Sequence, residues 1–194
     1  MKTIHTLTLG SYQTNTYILQ NGNRCAIVDP GYEPETIEAF LQKHNLTVDA
    51  ILLTHGHFDH VGAVKILAAD LDCPVYVHEA ELSMPQRLTG GPLYYTNLYG
   101  EGDVITPADL SIRVMHTPGH TPGSVCLLVD DFMFSGDTLF AGSCGRTDLP
   151  GGSWGEIQRS LQRLAALEKN YAVFPGHAES TTLAMEKQYN PYMR

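Results

Sequence analysis

The sequence predicts an α/β fold in which two β-sheets pack together with helices outside them, and three observations lead to this prediction. Short apolar runs of strand length alternate with stretches of helical periodicity. Several of these runs end in a glycine beside a histidine or an aspartate, as α/β strands do where they carry functional side chains. A second β-rich half of the chain also mirrors the first. With 194 residues, 43% of them apolar, the chain fits one domain, which we expect to span residues 1–194.

The first three predicted strands are antiparallel. Residues 3–9 and 14–19 alternate between apolar and polar side chains, which is typical of half-buried strands. Asn21-Gly22 is a strong signal for a tight hairpin turn. It predicts a third strand over residues 24–28.

Helices and strands alternate after this hairpin. Pro34 predicts the start of a helix that ends near Asn45. Residues 50–53 and 74–77 are predicted as short buried strands, and apolar residues at helical spacing predict a helix between them that begins near Asp59.

The second half begins after an interruption. Residues 87–103 contain glycines, a proline and three tyrosines, which predicts a loop. The elements predicted beyond it are strands over 110–117, 123–129 and 132–135, a helix capped by Ser153 with Glu156, and a last helix from about Ser180 to Tyr189.

Ligand-type side chains are concentrated where the strand over 50–53 ends. Three histidines and one aspartate lie within six residues: His55, His57, Asp59 and His60. The first two stand at i and i+2, on one side of an extended segment. The other two project from the first turn of the following helix. A helix start capped by Asp59 with solvated histidines is the alternative, but this density favours a site for two metal ions.

Three further strand-like runs end in the same way and could supply the remaining ligands. Their final side chains are His120, Asp137 and His177. Each of these histidines alone would more often be an ordinary turn residue. Together, the four strand ends provide five histidines and two aspartates, which is enough for two metal ions.

The composition limits the partners. Twelve lysines and arginines against 21 acidic residues give a net charge of −9, and no basic run is present, which counts against nucleic acid. No apolar run is long enough for a membrane span or a signal peptide. The four cysteines are scattered, as expected for reduced thiols. We therefore expect a cytoplasmic protein with a small-molecule substrate, and the sequence leaves the oligomeric state open.

Two loops contain candidate substrate contacts. Tyr94 and Tyr95 lie in the predicted loop over 87–103 and could close over a substrate. Arg146 follows a glycine-rich segment and could bind an anionic group. Cys144 in the same segment has no histidine beside it in the sequence, so we expect it to be structural. Asp29 could support the ligand cluster, but an Asp-Pro-Gly turn alone explains it.

These motifs together resemble the metallo-β-lactamase superfamily. The residues that carry the resemblance are Thr-His-x-His-x-Asp-His at 54–60, Thr-Pro-Gly-His at 117–120, Gly-Asp-Thr-Leu-Phe at 136–140 and Pro-Gly-His at 175–177. Within the superfamily, Gly-Asp-Thr-Leu-Phe, Cys144-Gly145-Arg146 and Asn190-Pro191 are similar to the glyoxalase II-like branch, the hydroxyacylglutathione hydrolases.

The resemblance implies a fold and a metal arrangement. The fold is a four-layer αββα sandwich of two mixed β-sheets with helices on both outer faces and the site at one edge. The implied ligands are His55, His57 and His120 for one metal, Asp59, His60 and His177 for the second, and Asp137 as a bridge. The two divalent ions are expected to be Zn²⁺, with iron or manganese as alternatives, because His/Asp sites without cysteine accept all three.

The implied activity is hydrolysis of a thioester such as S-D-lactoylglutathione. Two metals about 3.5 Å apart can hold a bridging hydroxide that attacks the carbonyl. A thiolate, with a parent pKa near ~8.5, leaves with little help from a general acid. Asp59 and Asp137 are the expected catalytic carboxylates.

Other activities within the superfamily remain alternatives. Gly145-Arg146-Thr147-Asp148 is similar to persulfide dioxygenases, which would bind a single iron through His55, His120 and Asp137. Another small-ester or lactone hydrolase, or a metal-binding member without activity, would also fit. β-Lactamases of the first subclass have a cysteine where Asp137 stands, which disfavours an antibiotic hydrolase. Only a short tail follows His177, so we expect a short form without the C-terminal helical domain of classical glyoxalase II enzymes and its glutathione contacts.

Overall fold

A computed structural model describes residues 2–194, and Met1, the first residue of the expected domain, lies outside the described residues. It contains two six-stranded mixed sheets. The strands of the first sheet, in spatial order, are β1 (Lys2–Leu9), β2 (Thr14–Asn21), β3 (Arg24–Val28), β4 (Thr47–Leu52), β5 (Val75–His78) and β6 (Asn97–Tyr99). β1 to β3 pair antiparallel and β3 to β6 pair parallel.

The second sheet is formed by the second half of the chain. Its strands are β7 (Val104–Ile105), β8 (Ile112–His116), β9 (Val125–Val129), β10 (Phe132–Gly136), β13 (Ala172–Pro175) and β14 (Thr181–Thr182), and a small hairpin joins β11 (Leu139–Phe140) to β12 (Ser143–Cys144). Their spatial order is β14-β13-β10-β9-β8-β7, in which only β10 and β13 pair in parallel.

Six α-helices and two 3₁₀ helices lie within residues 2–194 besides the strands. They are α1 (Pro34–Lys43), α2 (Phe58–Val61), α3 (Val64–Leu71), α4 (Gln86–Thr89), α5 (Trp154–Ala165), α6 (Leu183–Tyr189) and the 3₁₀ helices Glu79–Ser83 and Pro107–Asp109. Within residues 2–194, no helix combines the length and the apolar character needed to cross a membrane.

Three apolar clusters lie between the layers of the fold and pack them together. Leu52 and Phe134 belong to the cluster between the two sheets. Ile51, on the opposite face of β4, packs with α1 and α3, and Leu161 of α5 packs on the outer face of the second sheet. Strands buried on both faces need continuous apolar sequence, which explains the run at residues 50–53. The predicted four-layer αββα sandwich is therefore confirmed.

Several element predictions needed correction. The loop predicted over 87–103 includes β6, because pairing with β5 orders a short segment that local sequence does not identify. The helix predicted to begin near Asp59 is divided into α2 and α3 around Gly62. A Cβ atom at Gly62 would lie 2.4 Å from the carbonyl oxygen of Gly31, so only glycine permits this close approach.

The helix caps near the second sheet agree only in part with prediction. Ser153 accepts a hydrogen bond from the Glu156 amide at 3.4 Å, as expected of an N-cap residue. The Glu156 side chain pairs with Arg159 instead of completing a capping box. The last helix begins at Leu183, not near Ser180, because residues 181–182 pair with β13.

Candidate metal centre

Three buried histidines form the first part of the site, called the histidine triad below: His55, His57 and His120. Two of them follow β4, and the third lies in the turn between β8 and β9. Their nearest ring nitrogens all lie within 4.8 Å of one another, and His57 Nδ1 stands 2.9 Å from His120 Nε2. The triad is therefore assembled from the ends of strands in different sheets.

Three further side chains form a second group, called the His60 cluster below: Asp59, His60 and His177. His177 Nε2 lies 3.2 Å from Asp59 Oδ2 and 3.3 Å from His60 Nε2. His177 follows β13, so this group also joins the two sheets. Thr14 donates its hydroxyl to Asp59 Oδ2 at 3.3 Å, which helps to orient the carboxylate.

Asp137 lies between the two groups. Its Oδ1 atom is 3.4 Å from His60 Nε2, and its Oδ2 atom is 3.5 Å from His120 Nε2 and 3.6 Å from His177 Nε2. One carboxylate thus contacts both the histidine triad and the His60 cluster. All seven predicted metal ligands are gathered in one place.

Unpartnered polar atoms indicate what the site is built to hold. His55 Nε2, His57 Nε2 and Asp137 Oδ1 are the buried side-chain nitrogens and oxygens without a hydrogen-bond partner in the part of the chain that the structure describes. An unsatisfied buried polar atom costs about 1–3 kcal/mol. Coordination of a cation would remove this cost for imidazole nitrogens and carboxylate oxygens, which are ordinary ligands of divalent metals. The residues present therefore fit two divalent ions.

Burial keeps the histidine triad neutral. It lowers the pKa of His55 well below the ordinary value, and the neighbouring imidazoles lower it further. Burial, followed by the charge of His120, lowers the pKa of His57 to about 4. The pKa of His120 is also lowered, mainly by burial. Neutral imidazole is the form that binds a metal.

The His60 cluster has the opposite electrostatics. Burial alone would lower the pKa of His60, but Asp137, Asp29 and Asp59 outweigh it and raise this pKa to about 9. The pKa of His177 is raised because Asp59 and Asp137 together exceed the effect of burial. Burial opposes ionisation of Asp59, yet the hydrogen bond from His177 and the charge of His60 hold its pKa below the usual range.

Backbone carbonyls and one aspartate orient the histidine rings. His120 Nδ1 donates to the Arg146 carbonyl at 2.8 Å, and His177 Nδ1 donates to the Tyr12 carbonyl at 3.1 Å. These bonds leave each Nε2 free to face the site. Asp29 lies 3.0 Å from His60 Nδ1 and accepts from the Thr54 amide at 2.7 Å. The interpretation of Asp29 as a turn residue alone was incomplete.

A cavity of 590 Å³ opens onto the site. Its lining consists of five ligand candidates, four apolar side chains and four polar, charged or thiol side chains: Tyr12, His57, Phe58, Asp59, Leu88, His120, Asp137, Phe140, Ser143, Cys144, Arg146, Leu149 and His177. Except for Phe140, which ends the motif at 136–140, the sequence does not single out the apolar members of the lining, because partly exposed leucines and aromatics are common on any surface.

Of the three predicted substrate contacts, Arg146 lines this cavity and the two tyrosines do not. Arg146 lines the cavity, but its guanidinium forms two hydrogen bonds of 2.7 Å with Asp148. Tyr94 and Tyr95 line two neighbouring depressions and are not part of this cavity lining. Burial raises the pKa of the Cys144 thiol, which agrees with the prediction that this cysteine is no nucleophile.

The C-terminal segment supports one wall of the cavity. The Asn190 side-chain amide donates to the Ser143 carbonyl at 2.9 Å and to the Phe140 carbonyl at 3.4 Å. Glu186 accepts from the Gly142 amide at 2.8 Å. In the sequence, Asn190 is marked only by its Asn-Pro pair, and no local pattern marks Glu186.

The chain belongs to the metallo-beta-lactamase superfamily, whose family profile matches residues 9–177. It is 37% identical to "Probable metallo-hydrolase YqgX" of Bacillus subtilis, over 95% of this chain and 94% of the relative. It is also 28% identical to "Hydroxyacylglutathione hydrolase GloC" of Haemophilus influenzae, over 98% of this chain and 97% of the relative. These relatives place the chain among metallo-hydrolases.

Three solved structures are similar over nearly the whole chain. A B3 metallo-beta-lactamase, BLEG-1, has a TM-score of 0.90 at 37% identity and covers 98% of this chain and 99% of its own. TTHA1623 in a di-iron-bound form has a TM-score of 0.85 at 39% identity, covering 97% and 99%. ETHE1 from Myxococcus xanthus has a TM-score of 0.80 at 27% identity, covering 97% and 83%.

Proposed function

We propose that this protein is a hydrolase that cleaves a thioester such as S-D-lactoylglutathione with the help of two divalent metal ions. One observation carries the proposal: the histidine triad and the His60 cluster lie side by side, and Asp137 contacts both. A single ion would leave one of the two groups without a role.

The residues divide into two sets of ligands. His55, His57 and His120 would hold one ion, and Asp59, His60 and His177 the other, with Asp137 shared between them. Bound there, two divalent ions would lower the pKa of a bound water, and their positive charge would stabilise a developing oxyanion.

The rest of the chemistry belongs to the protein and the substrate. The cavity beside Asp59 and Asp137 receives the acyl group, and its apolar walls keep bulk water away from the reacting carbonyl. Asp59 is the carboxylate proposed to accept and release the proton of the attacking water. A thiolate with a parent pKa near ~8.5 leaves without a general acid.

The relatives support the thioesterase assignment at the level of the branch. GloC of Haemophilus influenzae is a hydroxyacylglutathione hydrolase and aligns over almost the full length of both chains. A hydroxyacylglutathione hydrolase of Aeromonas hydrophila is 36% identical over 88% of this chain but only 64% of its own length. The short relative is therefore the better guide, because it has no long extra segment outside the alignment.

The metal, the location and the domain are part of the same proposal. Zn²⁺ is the proposed ion, and iron is the main alternative because TTHA1623 was solved in a di-iron-bound form. The four cysteines are free, which supports the cytoplasm, where thiols stay reduced. Both sheets contribute to one apolar cluster between them, which supports a single domain over residues 1–194.

The direct test is turnover of S-D-lactoylglutathione by protein loaded with Zn²⁺, followed by the loss of thioester absorbance. We expect hydrolysis that disappears when Asp137 is replaced by asparagine, because the amide offers one acceptor where the carboxylate offers two. Asp130→Asn, an exposed aspartate between β9 and β10, is the matched control and should retain full turnover. Zinc-loaded protein with no thioesterase activity would overturn the proposal.

Persulfide dioxygenation by one iron is the second candidate. It is favoured by the similarity to ETHE1 and by Gly145-Arg146-Thr147-Asp148 beside the cavity. The same protein loaded with Fe²⁺ would then consume oxygen in the presence of glutathione persulfide at one iron per chain.

β-Lactam hydrolysis is a third candidate, favoured by the similarity to BLEG-1. Aspartate at position 137 remains a difference from lactamases of the first subclass, but BLEG-1 is described as a B3 enzyme. A β-lactam turned over faster than the thioester would select this candidate.

A further inference from the structure

We propose that Glu81 is a positioning residue that fastens the two loops of the histidine triad to each other. Glu81 lies in the 3₁₀ helix after β5, outside the ligand set, and is 1% exposed. A buried carboxylate is costly unless hydrogen bonds satisfy it. The hydrogen-bond donors to the Glu81 carboxylate therefore indicate its structural role.

Each oxygen of the carboxylate holds a different loop. Glu81 Oε2 accepts from the Gly56 amide at 2.6 Å, and Glu81 Oε1 accepts from the Gly123 amide at 2.7 Å. Gly56 stands between His55 and His57, and Gly123 follows His120 by three residues. One side chain thus joins the backbone beside two ligands to the backbone near the third.

The packing around these contacts is tight. A Cβ atom at Gly56 would lie 2.9 Å from Glu81 Oε2, and one at Gly123 would lie 2.7 Å from Glu81 Cγ. Both distances are shorter than ordinary contacts, so glycine is required at both positions for the carboxylate to reach the amides. The two glycines and Glu81 act as one unit.

The consequence concerns the geometry of the triad. His57 Nδ1 and His120 Nε2 lie 2.9 Å apart although they come from loops 63 residues apart in the chain. With His120 Nδ1 donating to the Arg146 carbonyl, His57 Nδ1 is the donor of this hydrogen bond and His120 Nε2 the acceptor. Glu81 fixes the backbone of both loops through the two glycine amides, so it keeps the two rings close together without a metal. Residues that orient metal ligands commonly contribute 10–100-fold to metal affinity.

The test uses Co²⁺ as a probe of the triad. In Glu81→Gln, one amide would face an NH₂ group in place of an acceptor, so we expect Co²⁺ to bind roughly 10–100-fold more weakly and its ligand-field spectrum to change. Glu79→Gln alters an exposed carboxylate in the same helix and should match the wild type in both measurements. Wild-type affinity and spectrum in Glu81→Gln, with or without a lower Tm, would overturn the proposal.

A second measurement decides the question if Glu81→Gln does not fold. Hydrogen exchange of the Gly56 and Gly123 amides in metal-free wild-type protein should remain slow, because Glu81 holds both amides without a metal. Fast exchange of either amide in an otherwise protected fold would contradict the proposal. The inference rests on the metal-binding part of the proposed function alone. Metal-loaded protein without thioesterase activity would refute the activity and leave the result on Glu81 standing.

Discussion

The histidine triad and the His60 cluster are neighbours with opposite electrostatics. In the triad, burial lowers the pKa of all three imidazoles, and His55 Nε2 and His57 Nε2 lack hydrogen-bond partners. In the His60 cluster, carboxylates raise the pKa of both histidines, and protons can bind where a metal would. A metal ion bound by the triad would meet neutral imidazoles, whereas one bound by the cluster would compete with protons.

This difference indicates that the two proposed metal positions are not equivalent. The neutral, buried triad has no net charge of its own, and few protons would compete there with a metal ion. The His60 cluster depends on the negative charge of Asp59 and Asp137 and on pH. We therefore expect the triad to fill first and the cluster to fill second, with Asp137 coupling the two.

The largest effect is expected from breaking the triad. His55→Ala removes a buried proposed ligand, so activity should fall to background, well beyond the roughly 100-fold typical of residues that only support ligands. Circular dichroism should show a retained fold. His44→Ala, an exposed histidine after α1, is the control for loss of an imidazole. Full activity in His55→Ala would refute the assignment of this histidine.

A smaller effect is expected from breaking the His60 cluster. His177→Ala removes a partly exposed proposed ligand, so we expect the bound metal to fall from two ions per chain to one while the triad stays filled. Metal analysis after gel filtration measures this directly. Two tightly held ions in His177→Ala would show that the cluster does not need this histidine.

The contrast in pKa predicts how stability of the metal-free protein depends on pH. The pKa of His60 is raised to about 9. Its contribution to the free energy of unfolding is therefore complete below pH 6.5 and is lost as pH rises through 9. The pKa of His57 is lowered to about 4. Its contribution to the free energy of unfolding is therefore present above pH 6.5 and is lost as pH falls toward 4. A loss of 1 kcal/mol in the free energy of unfolding lowers the Tm of a chain of this size by roughly 2–4 °C.

Thermal melts between pH 4 and 9.5 measure this dependence. In His60→Gln, which carries no titrating group at this position, the decline toward pH 9 should be smaller than in the wild type. A Tm of the metal-free wild type that stays constant from pH 7 to 9.5 would contradict the raised pKa of His60.

The smallest effect is expected at Arg146, outside both groups. Its guanidinium is paired with Asp148 and exposed, so Arg146→Ala should raise KM for an anionic thioester about twofold to threefold and change kcat less, as expected for a screened surface charge. Asp148→Asn frees the guanidinium and should lower KM for the same substrate. An unchanged KM in both variants would remove Arg146 from the substrate site.

Much of the fold and the position of the site could be predicted from the sequence. Strands buried on both faces need apolar runs, and His55 and Asp137 stand where such runs stop. The contacts that assemble the site could not be predicted in this way. Glu81 lies 25 residues from Gly56 and 42 from Gly123, and no local pattern marks a carboxylate that will accept from distant amides.

The same limit explains the remaining differences. Tyr94 and Tyr95 are in a glycine-rich segment, as predicted, but the direction of that segment depends on β6, which forms only by pairing with β5. Whether Arg146 is free or paired with Asp148 likewise depends on side-chain geometry, not on residue type. The assignment of Tyr94, Tyr95 and Arg146 to substrate binding therefore stays a prediction.

The most direct test of the two-metal account is a titration of metal-free protein with Zn²⁺ in which thioester hydrolysis is measured at each step. The account predicts that the first equivalent fills the triad with little activity and that hydrolysis rises with the second, reaching a plateau at two ions per chain. Full thioesterase activity at one ion per chain would contradict it.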